Sequence, residues 1–170
     1  MRPGNNNRGY TVPEILITLG VISILLAMAV PSVSSTIKDN RLVGALNNLI
    51  VDIHFARSEA VKRDVRVIMC RTRDPNRAVP VCDGDANIWT TGYIIFADDG
   101  NYTNQFYDNG TDVLLRRGQA AASGVRMRTN DWWNQYLEFN PNGTTNEAGG
   151  MAEMSICDDR REARGRNIVV

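Results

Sequence analysis

The alternation of apolar and polar positions divides this chain into three stretches. From Ile15 through Val33 the residues are apolar or uncharged, and between Arg8 and Lys38 the single charge is Glu14. A run of that length predicts a helix able to cross a bilayer, since about 20 residues at 1.5 Å rise span about 30 Å of hydrocarbon. From Val33 to about Arg63 the period changes. Leu42, Leu46, Leu49, Ile53, Ala56 and Ala60 recur at alternating steps of four and three, the stripe of an amphipathic helix. Arg41, Asn47, Asn48, Asp52, Arg57 and Glu59 fall outside it. The two helical stretches form one long element, with Pro31 as the place for a bend.

Beyond Arg63 the pattern is that of strands. Val65–Cys70 is short and β-branched. Ile88–Phe96 is a stronger strand signal, interrupted at Gly92. Val113–Arg116, Gly124–Met127, Tyr136–Phe139, Met151–Cys157 and Asn167–Val170 follow, with turn residues between them. Asn142-Gly143 is a strong tight-turn signal. A helix first and consecutive strands afterwards predicts an α+β fold, with antiparallel sheets against the C-terminal half of the helix.

The chain has 170 residues, enough for one domain, with 43% apolar and 22% charged residues. Its 19 basic and 19 acidic residues balance, so the overall charge lacks the basic footprint of a non-specific nucleic-acid binder. The basic head, with Arg2 and Arg8, is expected to stay cytoplasmic while the remainder is exported. No small-residue cleavage site of the A-x-A kind follows the apolar run.

A carboxylate at the edge of such a helix is costly without a positive partner. Arg8-Gly9-Tyr10-Thr11, then Glu14 as the fifth residue after the glycine, then the apolar run, resembles the class III signal of type IV pilins and type II secretion pseudopilins. The resemblance implies a leader over residues 1–9. A membrane prepilin peptidase would cut between Gly9 and Tyr10 and methylate the new amine. It also implies a transmembrane assembly helix over 10–33, its amphipathic half over 34–63, and a periplasmic β-rich part over 64–170. Pro31 matches the proline that breaks the family's long helix. Tyr10 stands where Phe is usual, and Pro13 where Ile or Leu is usual. A proline is tolerated in a first helical turn, which agrees with a helix beginning near Tyr10. In a bundle of such helices, Glu14 of one subunit can meet the Tyr10 amine of another and set their axial register. A glutamate that merely snorkels to headgroups is the plain alternative.

The helix end around His54-Phe55-Ala56-Arg57-Ser58-Glu59-Ala60, together with Trp89, Gly92 and Tyr93-Ile94-Ile95-Phe96, resembles the branch holding the pseudopilin GspH and the minor pilins FimT and FimU. The implied function is a structural subunit that initiates or caps a type IV pilus or type II secretion pseudopilus. The implied partners are other pilins, the prepilin peptidase and the bacterial inner membrane. No catalytic residue, metal or cofactor is assigned. His54 is the only histidine and cannot build a zinc site or a triad; it reads as a surface or packing residue.

Three cysteines allow at most one internal disulfide. Cys70–Cys82 would close a loop worth about 3 kcal/mol in the chain-entropy model, and Cys157 with either of them is the alternative. Asp98, Asp99, Asn101 and Asp108 have a calcium-like composition without EF-hand spacing, and read as turn chemistry. Trp132 and Trp133 are expected on opposite faces of a strand.

Arg160, Arg161, Arg164 and Arg166 crowd the C-terminus. Relatives that bind DNA carry a Gly-Arg-x-Arg element there. Here Gly165-Arg166-Asn167 breaks that pattern, and Asp158, Asp159 and Glu162 dilute the charge, which favours a solvated turn over DNA contact. The alternatives to the assembly reading are therefore a DNA-binding minor pilin and a membrane-anchored periplasmic binding domain that is never processed.

Overall fold

A computed structural model describes residues 9–83, 89–99, 105–130, 136–145, 153–160 and 165–169, with the side chains at 29–32 left out. Trp132, Trp133, Asn101, Arg161 and Arg164 lie outside the described residues. The chain divides into two compact units, Met1–Asp39 and Asn40–Val170.

Helix α1 spans Val12–Arg63 and is assigned continuously, including through residue 31. Its C-terminal end is determined locally. Lys62 and Arg63 in the last turn oppose the negative end of the helix dipole, and both reach Glu59, at 3.2 and 2.6 Å. The bond from Arg63 leads in holding the Glu59 carboxyl below its ordinary range; burial opposes it, and Lys62 adds to it. Asp64 then turns left-handed, with φ 56°, and stops the helix.

Seven strands follow among the described residues: β1 (Arg66–Arg71), β2 (Tyr93–Asp98), β3 (Val113–Gly118), β4 (Arg126–Thr129), β5 (Tyr136–Phe139), β6 (Glu153–Cys157) and β7 (Arg166–Val169). They make a four-stranded sheet in the order β3-β2-β1-β5 and a three-stranded sheet in the order β4-β6-β7, with every pairing antiparallel. Every predicted strand segment contains a strand, but the one expected over Ile88–Phe96 begins only at Tyr93. Gly92 has φ 129°, and a bond from its N–H to the Trp89 carbonyl folds Trp89–Gly92 into a turn instead. At the Asn-Gly turn, Gly143 adopts φ 78°, and the chain beyond it returns to β5 through one bridge, Phe139 to Thr145.

The main core lies on one side of the larger sheet. Leu42, Leu49, Ile53, Ala56 and Ala60 of α1 are buried with Val67, Met69, Tyr93, Ile95, Leu137 and Phe139, and with Met127, Met154 and Ile156 from the smaller sheet. Leu46 is half-buried against them. The opposite side of the larger sheet is covered as well, which makes β1 and β2 buried at every position. There Ile68, Cys70, Ile94 and Phe96 meet Cys82, Tyr107, Leu114 and Tyr136. Strands buried on both faces read as continuous apolar runs rather than alternating ones, as Tyr93-Ile94-Ile95-Phe96 does.

Candidate functional site

In the N-terminal unit, every residue from Gly9 to Met28 is exposed. Gly9 and Tyr10 precede the helix, and Tyr10 is 80% exposed. Thr11 is the N-cap, its carbonyl accepting the first helical bond from the Ile15 N–H at 3.2 Å. Glu14, third in the helix, reaches back so that its Oε2 accepts the Thr11 N–H at 3.5 Å. Thr11-x-x-Glu14 thus makes the glutamate half of a capping box, a spacing present in the sequence. Pro13 occupies the first turn, where its missing N–H has no helical partner. Farther along, Thr18 and Ser23 donate to the Ile15 and Leu19 carbonyls at 2.9 and 2.7 Å. Their hydroxyls are satisfied within the helix, and the surface presented outward is apolar: Leu16, Ile17, Leu19, Ile24, Leu25, Leu26 and Met28 are each more than half exposed. A helix apolar all round belongs in lipid or among other helices. It is the one helix among the described residues long and apolar enough to cross a membrane.

In the second unit, one irregularity in a strand pair aims two arginines to opposite sides. A register shift between Ile95 and Phe96 leaves Leu115 unpaired, so that Leu114 faces Phe96 while Arg116 faces Ile95. Arg116 thereby points to the helix side, where it donates to Asp52 at 2.5 Å and lies 3.9 Å over the Phe55 ring. Asp52 also accepts the Tyr93 hydroxyl at 2.6 Å. Burial first, then the bond to Asp52 and its charge, push the Tyr93 hydroxyl well above its ordinary range, against the opposing field of Arg116. Arg117 is turned the other way, onto the Pro75 and Arg77 carbonyls of the covering loop. Gly118 must be glycine, because a Cβ there would fall 2.0 Å from the Tyr93 ring. The polar positions Asp52 and Glu59, which flank the apolar stripe, are therefore buried and paired.

A second ionic group sits on the outer side of the larger sheet. Arg66 of β1 donates to Asp98 of β2, with Nε at 2.9 Å and Nη2 closer still, and its Nη1 lies 3.5 Å from Glu138 of β5. All three side chains are buried. Desolvation alone would lower the guanidinium's proton affinity, but Asp98 and Glu138 together raise it.

Cys70 and Cys82 are joined, with Cα atoms 5.6 Å apart, and Cys157 is a half-exposed thiol on β6. Asp83 beside the bond accepts from the Arg73 N–H at 2.9 Å, and the Thr91 hydroxyl donates to the Thr72 carbonyl at 2.8 Å. His54 is exposed on α1. Of the arginine cluster, Arg160 is held by Asp158, with Nε at 2.8 Å and the backbone N–H at 2.9 Å, and Arg166 is exposed on β7. Among the described residues no group of three or more His, Cys, Asp or Glu could hold a metal ion.

The relatives agree with this architecture. The family model described as "Type II transport protein GspH" matches residues 45–170. The pilin-like protein PilA1 of Thermus thermophilus is 30% identical over 141 residues, which cover 80% of this chain and 78% of PilA1. Crystal structures of the type IV minor pilin FimU of Pseudomonas aeruginosa in two space groups are similar in fold. One superposes with a TM-score of 0.57 at 20% identity, covering 77% of this chain and 82% of FimU. The other gives 0.52 at 19%, covering 75% and 83%. A long helix entering antiparallel sheets, an apolar surface that water cannot cover, and a family match over most of the chain lead to one conclusion: the chain belongs to the GspH family, among the type IV minor pilins and pseudopilins.

Proposed function

We propose that this chain is a membrane-anchored subunit that is cut between Gly9 and Tyr10 and added, by packing of its N-terminal helix, to a type IV pilus or a type II secretion pseudopilus, where it initiates or caps assembly. The observation that carries the reading is the exposed, uniformly apolar N-terminal stretch of α1 with Glu14 as its one charge. Gly9 and Tyr10 are exposed and outside the helix, as a scissile bond must be. The apolar stretch is held in the bacterial inner membrane, Asn40–Val170 is periplasmic, and the role is structural rather than catalytic. Glu14 sets register by pairing with the freed Tyr10 amine of a neighbouring subunit. Its carboxylate can keep the Thr11 bond while it does so, since two oxygens offer about four acceptor positions.

N-terminal sequencing of the protein from membranes tests the processing step. Tyr10 as first residue is expected, and an intact Met1 would overturn the proposal. Glu14→Gln tests the register step more cleanly than Glu14→Ala, because the amide oxygen still caps Thr11 while the charge is gone. Loss of filament incorporation with Glu14→Gln is expected; normal incorporation would reject the role of the charge.

A further inference from the structure

An open groove of roughly 710 Å³ runs between α1 and the segment that joins β3 to β4. Arg41, Gly44, Asn48 and Val51 form its helix wall, three or four residues apart along one face, and all four are exposed. Gly118 through Ala122 form the opposite wall. That wall is held in place. The Ala121 N–H donates to the Thr90 carbonyl and the Ala122 carbonyl accepts the Val125 N–H, both at 2.9 Å. The Arg41 guanidinium donates to the Ser123 carbonyl at 3.2 Å.

Charge and the state of the main chain decide what the groove takes. Three arginines, Arg41, Arg116 and Arg117, line it against one acid, Asp52. Asp52 is already shared by Arg116 and the Tyr93 hydroxyl. Arg41 and Arg117 donate only to neutral carbonyls, and among the described residues no carboxylate pairs with either. An acidic occupant is favoured. The helix wall has its backbone bonded within α1, and the Ala121 N–H and the Ala122 and Ser123 carbonyls are taken, so no continuous ladder is open to an extended strand. The occupant must bring a backbone satisfied within itself, as a helix does. Gly44 agrees with this. A Cβ there would meet nothing within 4 Å, and glycine weakens a helix interior, so the chain's own packing has no use for it. A second helix gains closer approach from the missing side chain.

A second copy of this chain does not supply that helix. Among the described residues α1 is the one helix, and its acids are Glu14, Asp39, Asp52 and Glu59. Asp52 and Glu59 are buried and paired, Asp39 has an interaction of its own, and Glu14 serves the register. We infer that the groove receives a helix of a different pilin-type subunit, its axis crossing close to Gly44 and one of its carboxylates meeting Arg41. The inference rests on the assembly reading and adds the kind of partner. A contact between unlike subunits is made once and does not propagate, which suits initiation or capping.

A photo-reactive amino acid in place of Asn48, in the full chain within cells that assemble the filament, tests this. Illumination is expected to give an adduct whose second peptide, mapped by mass spectrometry, lies on a helix of another pilin-type subunit and contains Asp or Glu. Gly44→Leu fills the groove. It should leave the unfolding midpoint in urea unchanged or higher, because its site is open and leucine favours a helix, while the adduct yield falls several-fold. Arg41→Glu should lower the yield likewise, and changing the mapped carboxylate to Lys in that background should restore it; this pair decides if Gly44→Leu lowers the midpoint. No adduct, an adduct on a strand, a loop or a second copy of this chain, or a yield indifferent to both variants would overturn the inference while leaving the assembly reading intact, provided the chain is cut and incorporated. A chain that is never incorporated would overturn both.

Discussion

Arg66→Met is the sharpest probe of how this domain is held together. It keeps the side chain's length and apolar stem but leaves Asp98 and Glu138 facing each other inside the outer layer, 2% and 5% exposed, with no cation between them. Removing one partner of a buried ionic group costs about 3–5 kcal/mol, because the remaining charges cannot be rehydrated. Domains of this size are stable by about 5–15 kcal/mol, so the variant should remain folded but weakened. At a urea slope of about 2 kcal/mol per molar, the midpoint should drop by about 2 M. Urea unfolding of the full chain in mild detergent, followed through the fluorescence of buried Trp89, measures it; urea is preferred to guanidinium because it does not screen charge. The triple variant R66M/D98N/E138Q removes the stranded charge and should recover more than half of the loss. If the single variant shifts by less than about 1 kcal/mol, or the triple is no better than the single, the three side chains do not act as the ionic unit described.

Three further outcomes follow from the same geometry. Gly118→Ala must push the Tyr93 ring aside and break its bond to Asp52, for an expected loss of about 1–3 kcal/mol in the same unfolding assay; a neutral result would mean that the ring is free to move. C70S/C82S should cost about 3 kcal/mol, measured as the difference in unfolding free energy from the oxidised chain. Tyr93, whose hydroxyl is raised, contributes stability that is fully present below the ordinary tyrosine range near pH 10 and is lost as pH rises beyond it. An ultraviolet titration should accordingly show one tyrosine that ionises only when the chain unfolds, and Tyr93→Phe should abolish that late step.

The parts of this structure that were legible in the sequence are those determined by neighbours close along the chain. The stripe from Leu42 to Ala60 and the strand cores announce themselves by period. The exception, Trp89–Gly92, turns on a backbone angle that only the glycine discloses. The ionic groups were not legible, because Asp52 meets Arg116 and Arg66 meets Glu138 across 64 and 72 residues, and nothing in a polar position tells whether a distant partner will arrive. The turn of Arg116 toward the helix depends on a single unpaired residue, Leu115, which shifts every later side chain of β3 to the other face. At the N-terminus, the charge of Glu14 is legible in the sequence, and so is the three-residue spacing from Thr11 that lets its carboxylate reach the Thr11 N–H.

The covering of Ile68, Ile94 and Phe96 by a loop that Cys82 ties to Cys70 has a consequence for how the chain matures. Until those two sulfurs join, the loop that carries Cys82 lacks its covalent tie, and the part of that oily flank not already under Tyr107, Leu114 and Tyr136 lies open to any other newly made chain. A cell would do well to shepherd the nascent protein until an oxidant has latched the roof, and the finished surface becomes a record of the compartment in which it was completed.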